Sequence, residues 1–121
     1  MSNQLGNLVI QLTQKEFQVC NRIVEIKHEI MAKELQVAQS IKGQRIALDK
    51  AIKEAMAEDS EWQELTKELE SLKVTKSILT HARKQIDNFS AMIENEAHET
   101  LRENLIEQLA LILKETLALV N

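Results

Sequence analysis

The sequence predicts an all-α fold, a long antiparallel helical hairpin or coiled coil, or the same arms broken into a three- or four-helix bundle. Three observations predict it. The 121 residues contain no proline, no tyrosine and only two glycines, so turn formers are scarce. The chain is 44% hydrophobic and 28% charged, and it is rich in Leu, Glu, Lys, Gln, Ala and Ile rather than in strand formers. Apolar residues recur at steps of three and four over most of its length, the period of a helix face. A domain of this size buries roughly two thirds of its unfolded surface if its helices fold on one another, which one isolated helix cannot do. The expected organisation is one helical domain over 1–121, with arms at 7–57 and 60–120 joined by a turn at 57–60.

The first arm carries Val9, Leu12, Val19, Ile23, Ile26, Ile30 and Val37, with Glu16 and Lys33 in the two missing places of a heptad-like stripe. After Val37 the stripe steps by four to Ile41 and continues through Leu48, Ile52 and Ala55. Gly43 lies in that shift, so the arm either stutters there or breaks.

Residues 57–60 carry the chemistry of a helix start. Asp59 or Ser60 can accept a bond from the free N–H groups of a first turn, and Gln63 stands three residues after Ser60, making a capping box with Trp62 inside it. Glu61 and Glu64 suit the positive end of the helix dipole. Ser60 and Trp62 are thus the expected turn residues. A second stripe then runs through Trp62, Leu65, Leu69, Leu72, Leu79, Ala82, Ile86, Phe89 and Ile93. Without a Gly or Pro to force the turn, a helix straight through this stretch is the alternative.

A single reversal at 59 pairs residues whose numbers add to about 118. That places Arg83 and Lys84 beside Glu34, Glu96 beside Arg22 and Glu103 beside Lys15, and less favourably Lys73 and Lys76 beside Arg45 and Lys42. Exposed pairs are worth about 0–1 kcal/mol each, enough to select register and little more.

Beyond Ile93 the apolar steps become fours, through Ala97, Leu101, Leu105, Leu109, Leu113 and Leu117. Such a stripe drifts around a helix by about 40° per step, so a break is expected near 87–90, capped by Asn88 or Ser90, or else the arm meets more than one neighbour. In NLIEQLALILKETLALVN a narrow strip of Glu107, Gln108, Lys114 and Glu115 faces a wide apolar surface. These charges are too many for a transmembrane span. The surface suits either a core helix or an interface for a second chain, for which Leu105, Leu109, Ile112, Leu113 and Leu117 are the expected anchors.

Composition narrows the function classes. A net charge of −4 and 2% aromatic residues argue against a nucleic-acid surface, which needs clustered Lys and Arg and often stacking rings. No glycine-rich phosphate loop can be built from glycines at 6 and 43. The single Cys20 forms no intrachain disulfide and, beside Val19, reads as a half-buried structural thiol. The start of the chain lacks a basic n-region and a small-residue cleavage site, so the expected location is cytoplasmic. The acid-rich run Glu94, Glu96, Glu99, Glu103 and Glu107 reads as a solvated face.

One arrangement could hold a metal. Glu25 and His28 make an E-x-x-H tetrapeptide, the spacing that puts carboxylate and imidazole on one ion in ferritin-like bundles, and Glu94 and His98 are four apart. Such a site needs two tetrapeptides and two further bridging carboxylates, and only one tetrapeptide is present. By size and shape alone the chain is similar to small secretion-system chaperones, coiled-coil stalk proteins and helical hairpins with a Trp-x-Gly turn. Here Trp62 is followed by Gln63 and Glu64. The expected function is therefore that of a non-enzymatic protein-interaction module, a small adaptor, chaperone or structural component, without cofactor. Its expected partner is another protein chain, as a homodimer or heteromer, with no nucleic acid and no membrane span. The alternative is a metal-binding four-helix protein using Glu25, His28, Glu94 and His98.

Overall fold

A computed structural model of the chain describes residues 2–121. Among the described residues there are four helices and no strands, so the fold is all-α with helix packing of the bundle type. Helix α1 is Ser2–Ser40, α2 is Leu48–Ala57, α3 is Ser60–Asn95 and α4 is Glu99–Val120. They make two compact units, one of the chain through Val19 with Val74–Asn121, the other of Cys20–Lys73.

In the Cys20–Lys73 unit, α1, α2 and the start of α3 enclose Ile23, Ile26, Ala51, Trp62 and Leu65. Burying an Ile, Leu or Trp side chain contributes about 1.5–3 kcal/mol or more, so these few residues dominate the unit's stability. Two ion pairs set its register: Arg22 donates through Nε and Nη2 to both oxygens of Glu68, at 2.9 Å each, and Lys33 Nζ lies 2.9 Å from Asp59 Oδ2. Residue numbers fall along α1 as they rise along α3, so the two helices are antiparallel here.

The arm expected to run from 7 to 57 is interrupted over 41–47. Ser40 Oγ donates to the Val37 carbonyl, Ile41 N–H still reaches the Val37 carbonyl, and Gly43 then takes φ +86°. Only glycine enters that left-handed region without a Cβ penalty, which is why the break falls there. The stripe foreseen over 41–55 is consequently broken, and Ala51 is the buried residue of α2.

The α2–α3 corner lies within 57–60, but its cap differs from the capping box. Asp59 Oδ1 accepts the Trp62 N–H at 3.0 Å, Ser60 is the first residue of α3, and Gln63 Nε2 donates backwards to the carbonyls of Met56 and Ala57. Gln63 thus closes the end of α2 rather than the start of α3. Aspartate was free to cap because it precedes the first helical residue, and Trp62, one turn in, is buried.

The pairing register also differs from a single reversal at 59. Arg22 meets Glu68 and Glu25 instead of Glu96, and Arg83 meets Glu16 instead of Glu34. The loop and α2 take residues 41–57 out of the paired arms, which shifts every partner.

In the other unit, Leu8, Leu12 and Val19 of α1 pack with Leu79 and Ala82 of α3 and with Leu109, Ala110, Leu113 and Leu117 of α4. Arg83 ties α3 to α1, bonding the Glu16 carboxylate and, at 2.7 Å, the Thr13 hydroxyl. The break foreseen near 87–90 falls instead at 96–98: α3 runs helically through Asn88 and Ser90 to Asn95. No Gly or Pro marks it. The corner is held by Glu96, whose carboxylate accepts the His98 N–H at 3.0 Å and whose carbonyl accepts from Arg102 Nη2 at 2.8 Å. Ile93 and Ala97 therefore do not share a helix with Leu101–Leu117.

Candidate functional site on the outward face of the first helix

The five α4 residues expected as interface anchors lie on the inward side of their own unit. Leu109, Leu113 and Leu117 are buried, and Leu105 and Ile112 are half-buried. Their side chains face the core of that unit, and the large apolar residues left exposed lie elsewhere, several of them on α1. Ser60 is exposed at the α2–α3 corner and Trp62 is buried beneath it.

The four residues of the metal alternative are all exposed, and the Glu25 carboxylate is engaged by Arg22 Nη1 at 3.2 Å. Among the described residues no group of three or more His, Cys, Asp and Glu side chains is placed to hold a metal ion. Cys20, expected half-buried, is exposed.

The exposed apolar residues of α1 form a pattern. Ile10, Phe17, Val24 and Met31 recur every seven residues and are 55%, 68%, 66% and 57% exposed, and Leu35, four beyond Met31, is 57% exposed. At about 100° per residue these five fall within about 40° of Phe17 around the helix, opposite Leu12 and Ile26. Helix α1 is thus apolar on two opposite sides, one committed to the core and one turned outward.

The outward side is also uncharged. Gln14, Asn21 and His28 interleave with the apolar residues, and all three are exposed. Every Asp, Glu, Lys and Arg of α1 lies about 80° or more from Phe17, as with Arg22, Lys33 and Glu16, which turn toward α3. A solvated helix face normally carries charge. Comparison with protein-family models, curated proteins and solved structures finds no match to this chain.

Sequence reasoning missed this face, although its signal was present. The inner stripe and the outer stripe both follow helical spacing, and the inner one, with more Leu and Ile, masks the seven-residue recurrence of Ile10, Phe17, Val24 and Met31. A helix that is apolar on two sides is the sequence signature that finds it. Among the described residues no helix is long and apolar enough to cross a membrane.

Proposed function

We propose that this chain is a non-enzymatic protein-interaction module, a small cytoplasmic helical adaptor, chaperone or structural component, that binds another protein chain along the outward face of α1. The observation supporting this is the row Ile10, Phe17, Val24 and Met31, each more than half exposed and with no charged residue of α1 among them. Contiguous apolar surface that the fold leaves in water marks an interaction site, because its burial against a partner is favourable at about 25 cal/mol per Å². A recurrence of seven, rather than a wide apolar belt, suits a helical partner lying alongside, whose side chains interlock with a narrow seam.

Site-specific photo-crosslinking in cells tests the reading. A photoreactive amino acid in place of Phe17 should give one or a few discrete protein adducts, whereas the same group in place of exposed Lys53 should give none. Absence of discrete adducts at 17 would overturn it.

A further inference from the structure

We propose that the partner on the outward face of α1 is a second copy of this chain, packed in parallel and in register about a two-fold axis; this rests on the interaction reading above. Ile10, Phe17, Val24 and Met31 take the d positions of a heptad, and Gln14, Asn21, His28 and Leu35 take the a positions. Between Ile10 and Leu35 the seam is therefore sorted, with an apolar residue at each of the four d positions and a polar one at three of the four a positions.

That sorting selects both occupant and direction. In a parallel, in-register pair each a residue meets its own copy and each d residue meets its own copy. The amides of Gln14 and Asn21 carry both donors and acceptors, so each satisfies itself across the axis. Phe17 and Val24 likewise meet apolar equivalents. In an antiparallel pair a meets d, and Asn21 would bury its amide against an apolar side chain without a partner, a costly arrangement. A partner of different sequence would have to reproduce this order of amides and apolar groups; a second copy does so by symmetry.

The flanks agree. Across a parallel seam the g and e positions set Thr13 against Gln18, Cys20 against Glu25 and Lys27 against Ala32, so no like charges meet. The area suffices as well. Five apolar side chains, each more than half exposed, supply on the order of 400 Å² per chain, and the interleaved polar residues bring the seam toward the about 800 Å² per partner typical of specific dimers.

Sedimentation equilibrium of the full chain at about 50 μM should give the mass of two chains. Phe17→Glu with Val24→Glu should weaken self-association at least 100-fold while leaving the helical circular-dichroism signal unchanged, since both side chains are exposed; Leu111→Glu, exposed on α4, should leave the dimer intact. In a Cys20→Ser background, Ile10→Cys should cross-link to its own copy on mild oxidation. A mixture of Ile10→Cys and Leu35→Cys chains that cross-links 10 to 35 instead would overturn the parallel arrangement. A dimer indifferent to Phe17→Glu with Val24→Glu would overturn the seam. A monomer whose photo-adducts at position 17 contain a different protein would sink the homodimer and leave the interaction reading standing. A monomer without discrete adducts would sink both.

Discussion

The Lys33 ammonium lies 2.9 Å from one oxygen of Asp59 while the other oxygen of that carboxylate accepts the Trp62 N–H at 3.0 Å. One side chain therefore caps α3 and anchors it to α1. Asp59→Ala removes both contacts and is expected to lower the melting temperature by about 3–6 °C, the usual scale of losing a cap in a small domain. Emission from Trp62, buried beside the cap and the only tryptophan, reads the transition.

The same pair makes stability depend on acid. Lys33 first, and then the Trp62 N–H, hold the Asp59 carboxyl below its ordinary range, and Arg22 does the same to Glu68. A carboxyl lowered in the folded state contributes stability that is fully present above its unfolded value, near pH 4, and is lost as pH falls through the folded value. Melting temperatures recorded from pH 6 to pH 2 should stay level to about pH 4.5 and then decline. The decline should be shallower in an Asp59→Asn, Glu68→Gln variant.

Leu113 and Leu111 are two residues apart on α4 with opposite environments, fully buried and 56% exposed. Leu113→Ala should cost about 2–5 kcal/mol in urea unfolding, from lost transfer energy and the cavity left behind. Leu111→Ala should stay within about 0.5 kcal/mol. Equal effects would contradict the inward orientation of the Leu109–Leu113–Leu117 face.

The two glycines should respond oppositely to alanine. At Gly43 nothing lies within 4 Å of an added Cβ, so the cost is conformational: φ +86° should make Gly43→Ala about 1–2 kcal/mol less stable. Gly6 is helical and equally open, and Gly6→Ala should stabilise by about 0.5–1 kcal/mol. Urea unfolding of both variants checks the pair.

Much of the fold was legible because helix period and burial share one cause. No member of the inner stripe from Trp62 to Ile93 is exposed, and Leu12, Val19, Ile23 and Ile26 are buried as their spacing required. The corner at 58–59 was legible from capping chemistry, although local sequence could not say that Gln63 would turn back toward α2. The corner at 96–98 was not legible, since its stop is made by the Glu96 carboxylate and by Arg102 on the Glu96 carbonyl, contacts that exist only once the chain has bent. The role of the α4 leucines was undecided in the sequence because a core face and an interface face have the same composition. In the fold Leu109, Leu113 and Leu117 are buried, whereas Ile10, Phe17, Val24 and Met31 of α1 stay exposed.

The back-to-back arrangement of Ile26 and Phe17 on one helix constrains how its length can change. A one-residue insertion in α1 rotates everything beyond it by about 100°, and would at once pull core leucines and isoleucines into water and swing the outer row aside. Only gains or losses close to whole numbers of turns, such as about seven, eleven or eighteen residues, keep both sides in phase. Loop 41–47, where glycine already bends the backbone, is the place where extra residues can be absorbed, and α1 is where a single added codon should be least tolerated.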